Sequence, residues 1–199
     1  MRVKGAEAGK IRPEGETSTA AGWIRYSPET AARVADRVDA FEPLDFPAGH
    51  AAAKFLKEDA LVNAGMTRTH LYVSKDRIEG FFSCCSTSVT LSARSIRSLG
   101  LRTEIKTMPA VLVTWVARHG AGSLKGFELL TTAYGLAREA TATVAAVALV
   151  VDPADDQVAE VWKSEPYNFR ESEQGRRRGS TTPRLWTPLD PEPLVEGVS

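Results

Sequence analysis

"MPAVLVTWVARHGAGSLKGFELLTTAYGLAREA", residues Met108–Ala140, joins an apolar run to a helical pattern through a short loop bearing glycines. The run Ala110–Arg118 is β-branched and almost continuously apolar, which suits a strand covered on both faces. Phe127, Leu129, Leu130, Ala133, Tyr134, Leu136 and Ala137 then recur at helical spacing and define a broad apolar stripe. A parallel crossover places ligands at the carboxyl ends of its strands, and the loop after Arg118 lies at such an end. With Gly120, Gly122 and Gly126 around a helix start, it can offer backbone amides and a positive helix end to a pyrophosphate. Glycines punctuate plain turns just as freely, so spacing alone leaves both readings open.

Outward from this stretch, the pattern continues in both directions. Downstream, "VAAVALVV" (144–151) predicts a second buried strand, "ADDQVAEVWKSE" (154–165) a short helix, and "YNFRES" (167–172) another strand. The polar "ESEQGRRRGSTTP" reads as a surface loop returning to a last strand, "RLWTPL", anchored by Leu185, Trp186 and Leu189. Upstream, "AGHAAAKFLKEDALVNAGM" (48–66) predicts an amphipathic helix stopped at Gly65. "THLYVSK" and "RIEGFFSCCSTSVTL" predict a hairpin turning at Asp76, while "SARSIRSLGLRTEIKT" (92–107) fits no single state. The order is mixed β, then β-α-β-α-β.

A chain of 199 residues, 43% hydrophobic, is long enough to bury a core, and 25 basic against 25 acidic residues give no global pull toward nucleic acid. Residues 1–22 have almost nothing to bury and are expected to form a flexible arm; 23–190 form the domain and 191–199 a tail. The longest apolar run, Val144–Val151, is far short of a bilayer span, and the N-terminus lacks the apolar stretch of a signal peptide. The adjacent Cys84 and Cys85 suit neither a tetrahedral metal site nor a loop-closing disulfide, as in a reducing compartment. A cytoplasmic protein with no membrane contact is expected. His50, His70 and His119 are scattered, so no metal site is expected. Asp152, Asp155 and Asp156 read as a strand end and a helix cap rather than as catalytic carboxylates.

From about Phe41 to Leu189 the sequence resembles the GNAT acetyltransferase superfamily, specifically the toxins of toxin-antitoxin pairs. "FLKEDA" resembles their first amphipathic helix, and "TRTHLYVSKDRIEGFFS" their Arg/Thr-led strand, its turn and the strand after it. "MPAVLVTWVARH" is similar to the fourth strand, "FELLTTAYGLAREA" to the helix after the pyrophosphate loop, and "VAAVALVVDPADDQVAEVW" to the fifth strand and the helix behind it. The resemblance implies an α/β (α+β) fold with a mixed central β-sheet flanked by helices and a V-shaped splay between the fourth and fifth strands. It implies acetyl-CoA as co-substrate, with main-chain groups of Trp115, Val116 and Ala117 along the pantetheine and Gly122, Ser123, Leu124, Lys125, Gly126 and Phe127 at the pyrophosphate. Acceptors in this branch are amines, among them the amino group of aminoacyl-tRNA; an antitoxin protein and a homodimer, aided by exposed Trp23 and Ile24, are further implied partners.

The chain departs from the family in two places. The pyrophosphate motif Q/R-x-x-G-x-G/A falls on Ala121–Gly126, with Ala121 at the leading position and Leu124 at the middle glycine, where a side chain would hold the backbone off a phosphate. Arg118, His119 and Lys125 are the cations that could compensate. Trp162 stands where these toxins carry the tyrosine that protonates the departing thiolate, and an indole N–H is too weak an acid for that task. Tyr167 is the nearby phenol that could replace it; Asn168 and Phe169 stand at the usual "GF". Arg94, Arg97, Arg102 and Lys106, and Arg176, Arg177 and Arg178, make local basic patches that suit either phosphates or solvent. Two functions follow: an acetyl-CoA-dependent N-acetyltransferase, or a catalytically impaired GNAT-fold binding or regulatory protein.

Overall fold

The computed structural model describes residues 21–102, 104–141, 145–165, 167–176 and 182–189. Nearly all of the expected arm and the whole tail lie outside them. Among the described residues there are seven strands: β1 (Gly22–Tyr26), β2 (Arg68–Val73), β3 (Ile78–Thr90), β4 (Thr107–Arg118), β5 (Ala148–Val151), β6 (Arg170–Arg176) and β7 (Pro183–Pro188). They bond in the order β1-β2-β3-β4-β5-β7-β6. β1, β2 and β3 pair antiparallel, β4 and β5 parallel, and β7 antiparallel to both β5 and β6, so the sheet is mixed. The β4–β5 register covers Ala110–Val113 against Ala148–Val151, and β4 runs on past it to Arg118.

The chain forms two compact units, Met1–Cys85 with Thr114–Gly135, and Ser86–Val113 with Leu136–Ser199. In the first, β1–β3 carry a core of Tyr26, Leu71, Val73, Ile78 and Phe81. It is covered by two short helices absent from the sequence reading, α1 (Pro28–Ala31) and α2 (Ala35–Asp39), and by the expected amphipathic helix, α3 (Pro47–Lys54). α3 continues as a π-turn, Phe55–Asp59, closed by the Ala60 N–H on the Phe55 carbonyl at 2.9 Å. The wider turn lets Phe55, Leu56 and Ala60 all face inward, and Phe55 stacks on Trp115 at 5.1 Å. The hairpin turns over Ser74–Arg77, as its sequence predicts.

Trp23 and Ile24 are not exposed. They belong to β1, a strand the sequence did not announce, and are half-buried; Trp23 packs on Tyr72 and Phe82 at 5.2 and 5.3 Å.

In the second unit, β5 is wholly apolar and wholly buried, pairing through Val150 and Val151 with Trp186 and Leu185 of β7. The unsettled segment contains α4 (Ala93–Ser98), capped by the Ser92 hydroxyl, which accepts from the Ser95 N–H at 3.1 Å. α6 (Asp156–Lys163) is capped by Asp155, whereas Asp152 makes a bidentate pair with Arg184, both bonds 2.7 Å. α5 (Gly126–Thr141) extends through both units.

His70 lies on β2 with its ring stacked on Phe82 at 5.1 Å and its Nδ1 unpartnered among the described residues. Burial, with Arg25 and Arg68 adding to it, pushes its pKa down to about 4. The unfolded chain therefore takes up this proton near the ordinary histidine value and the folded chain does not. Stability from this group is full above pH 6.5 and is lost as pH falls toward 4, by roughly 3 kcal/mol at most. Urea unfolding at pH 7 and pH 4.5 should show this loss, and His70→Phe should reduce it while stabilising the fold at both pH values.

Candidate functional site

The loop from His119 to Lys125, between β4 and α5, lies entirely within the first unit. Its backbone is tied inward at successive residues. The His119 N–H donates to the Glu79 carbonyl at 2.8 Å, and the Gly120 N–H to the Glu42 carbonyl at 2.8 Å. The Ala121 N–H donates to His119 Nδ1 at 3.1 Å, the Gly122 N–H to the His119 carbonyl at 3.1 Å, and the Ser123 N–H to Glu79 Oε2 at 2.8 Å. At the helix start the Lys125 N–H bonds the Glu128 carboxylate at 2.8 Å, while the Glu128 and Leu129 amides take the Lys125 carbonyl. Among the described residues no partner is found for the Leu124 and Gly126 amides, which are left at the amino end of a 16-residue helix.

Leu124 departs from its expected role. Its side chain is turned inward, 7% exposed, against Gly80 of β3; a Cβ on Gly80 would lie 3.0 Å from Leu124 Cδ2 and 3.0 Å from the Ala117 carbonyl oxygen. The bulk that the motif forbids is therefore spent on core packing and does not stand over the loop's outer backbone. A Cβ on Gly126 would meet nothing within 4 Å, whereas one on Gly122 would lie 2.7 Å from Glu79 Oε2. The glycine at 122 thus lies tight against a carboxylate of the protein itself.

The cations divide. Lys125 is exposed and Arg118 half-buried. His119 is buried, with its ring T-shaped against Phe41 at 5.8 Å and its Nδ1 accepting the Ala121 N–H, so its ring is engaged in the packing of the loop itself. Of the strand-end residues, Trp115 and Val116 are half-buried and Ala117 is buried; Trp115 turns toward Phe55. Phe127 is exposed.

Tyr167 lies in the second unit, in the turn between α6 and β6 rather than at a strand start. Its N–H and that of Asn168 both donate to the Ser164 carbonyl, and the Phe169 N–H returns to the Trp162 carbonyl at 3.0 Å. Asn168 has a φ of 53°, the left-handed region that asparagine tolerates better than most residues. Trp162 is buried, ring centroids 5.0 Å from Phe169 and 5.9 Å from Tyr167. Burial raises the Tyr167 pKa, so the phenol is protonated at neutral pH and able to give its proton only to a strong base.

Arg94 and Arg97 are exposed on α4 and Arg102 and Lys106 on the coil after it. For Arg176 only the backbone is described, in β6, and Arg177 and Arg178 lie outside the described residues. Among the described residues there is no group of three or more side chains able to hold a metal, and no helix is long and apolar enough to cross a membrane. Glu79 was missed by sequence reading. Its signal was an acidic residue between Ile78 and Phe81 in a buried strand.

No protein-family model and no curated protein matches the sequence. Solved structures do match its fold. AtaT complexed with acetyl-methionyl-tRNAfMet superposes with a TM-score of 0.61 at 16% identity, over 76% of this chain and 86% of that one. A mutant of KacT gives 0.58 at 17%, over 75% and 89%. AtaTR bound with acetyl-CoA gives 0.56 at 16%, over 86% and 95%. The chain has the GNAT fold, in the form these toxin structures share.

Leu124→Ala should destabilise the fold by about 2–5 kcal/mol, the range for a buried leucine removed without collapse. Denaturant unfolding measures it, and a neutral result would mean that Leu124 does not pack on Gly80. Asn168→Val should cost about 1–2 kcal/mol through the left-handed backbone, while Asn168→Gly should be close to neutral.

Proposed function

We propose that the protein is an acetyl-CoA-dependent N-acetyltransferase of the toxin type, acting on a primary amine. The observation that carries this reading is the junction of β4 and α5: a strand that outruns its parallel partner, followed by a loop whose last amides, at Leu124 and Gly126, are unspent at a helix start. Unspent amides at the positive end of a helix suit a diphosphate, and Lys125 and Arg118 add charge beside them. Fold likeness to AtaT bound with acetyl-CoA supports the same ligand here.

The chemistry asks little more than position. Bound acetyl-CoA supplies a thioester carbonyl. The main chain of Trp115–Ala117 aligns the pantetheine arm beside β4, and the neutral amine of the acceptor adds to the carbonyl carbon. The C–S bond then breaks, the nitrogen loses a proton, and the departing thiolate gains one. Holding amine and thioester in line supplies ~7 kcal/mol or more in favourable cases. Tyr167, with a protonated phenol, is the donor to the thiolate and recovers its proton from solvent, which also takes the proton lost by the amine; a thiolate is a tolerable leaving group, so this donor adds to the rate without being indispensable.

AtaT was solved with acetyl-methionyl-tRNAfMet and, as a toxin, with the C-terminus of the antitoxin AtaR. By that likeness the acceptor is the amino group of an aminoacyl-tRNA and the controlling partner an antitoxin, with the exposed Arg94, Arg97, Arg102 and Lys106 available to tRNA phosphates. A homodimer and a cytoplasmic location belong to the same reading. A second reading, a GNAT-fold binding protein without turnover, is favoured by one observation: Trp162 is a buried packing residue where the toxins carry their acid.

Titration calorimetry with acetyl-CoA and with CoA, followed by acetyl transfer to bulk charged tRNA, separates the two. Binding and transfer are expected, with Tyr167→Phe lowering kcat by about a hundredfold at unchanged KM for acetyl-CoA. Binding without transfer would establish the second reading, and an absence of binding would remove both nucleotide readings.

A further inference from the structure

Glu79 is an acidic residue in a buried strand, 7% exposed, and both oxygens of its carboxylate are engaged, Oε2 at the β4–α5 loop and Oε1 at the β2–β3 turn. Oε2 accepts the Ser123 N–H at 2.8 Å, and Oε1 accepts the Ser74 hydroxyl at 3.0 Å with Arg77 Nε 3.7 Å away. Arg77 reaches the same loop from outside, its Nη1 donating to the Ala121 carbonyl at 3.4 Å. The backbone of Glu79 takes part as well, through its carbonyl and the His119 N–H. Gly122 lies so close that a Cβ would stand 2.7 Å from Oε2.

We infer that Glu79 is a positioning residue for the diphosphate of acetyl-CoA, acting as an internal anion that settles the loop before the nucleotide arrives. The inference rests on the proposed acetyl-CoA reading. A loop of this kind offers a row of amides, and any of them could turn outward toward a phosphate. The carboxylate claims the Ser123 amide from beneath, and the bonds to Glu42 and His119 claim Gly120, Ala121 and Gly122. With those four directed inward, Leu124 falls on Gly80, and the outward donors are restricted to the helix start. Preorganised donors bind an anion without first giving up other bonds, which is where a held loop improves affinity. Arg77 beside the carboxylate offsets the repulsion that a buried negative charge would otherwise exert on a phosphate.

The hydrogen bond and the charge can be separated by substitution. Glu79→Gln keeps an oxygen for the Ser123 N–H and removes the charge; Glu79→Ala removes both. If positioning is the role, Glu79→Ala raises the KM for acetyl-CoA about tenfold, the loss expected of one charged hydrogen bond, and leaves kcat nearly unchanged. Glu79→Gln stays within about threefold of the parent. Acetyl-pantetheine, which lacks the diphosphate, should show no such difference between parent and Glu79→Ala, whereas a general loss of structure would impair both donors equally. An equal effect on both donors, or a Glu79→Gln as impaired as Glu79→Ala, overturns the inference.

Two measurements without ligand keep the loop claim apart from the activity. Amide hydrogen exchange at Ser123 should be faster in Glu79→Ala than in the parent and in Glu79→Gln. Gly122→Ala should lower Tm in the parent and lower it less in a Glu79→Ala background, because the new methyl then enters vacated space. Unchanged exchange with additive Tm losses means the carboxylate does not hold the loop. If the parent binds no acetyl-CoA while both ligand-free results come out as expected, the acetyl-CoA reading and the role toward its diphosphate fall, and the carboxylate's hold on the loop stands.

Discussion

Gly80 has no side chain, and the β4–α5 junction depends on that. The space a Cβ would fill is bounded by the Ala117 carbonyl and by Leu124 and Leu129, so a loop and a helix start come down directly onto β3. Closeness of this order lets a strand residue one position away, Glu79, reach the loop's backbone with its carboxylate. It also gives Leu124 somewhere to go. Where a glycine-rich phosphate loop keeps its backbone bare, this loop carries a leucine and turns it under, which packs the core and still leaves the amide in place.

Much of this arrangement could be read from residues alone, and the remainder could not, for identifiable reasons. β4, α5 and β5 announced themselves because a doubly covered strand reads as a nearly unbroken apolar run and a long helix repeats its stripe several times. α1 and α2 were invisible: helices of 4 and 5 residues offer one turn each, too little for a period to emerge. β1 was hidden by its neighbourhood, since Trp23 and Ile24 follow a polar segment and their burial comes from Tyr72 and Phe82, far along the chain. The three-residue-wide features of the loop were legible only as spacing. Spacing says that Leu124 occupies a glycine's place; it cannot say which way the side chain turns, because that is decided by Gly80, forty-odd residues earlier in the sequence.

The same limit governs the charges. Arg118, His119 and Lys125 look equivalent in sequence, as three cationic residues near one loop. Packing separates them: His119 spends Nδ1 on the Ala121 amide and its ring on a T-shaped contact with Phe41, leaving Lys125 and Arg118 as the groups with reach. Glu79 works in the opposite sense. An acid in a strand of Ile78, Gly80, Phe81 and Phe82 would be destabilising if it were unpaired, so its presence requires partners, and the partners are the loop amide, Ser74 and Arg77.

Trp162 and Asn168 bear on how much chemistry the second unit retains. A turn that must pass through left-handed backbone normally uses glycine; asparagine at 168 holds that conformation with a side chain in place, so the turn geometry survives the change of residue. Trp162 is different in kind. Its indole packs on Phe169 with ring centroids 5.0 Å apart and carries an N–H too weakly acidic to donate a proton. Trp162 is thus a buried packing residue of this turn. The phenol of this turn belongs to Tyr167, half-buried beside the Trp162 ring. Burial keeps that phenol protonated at neutral pH and at the same time makes it a weaker acid, so a proton leaves it only for a base as strong as a thiolate.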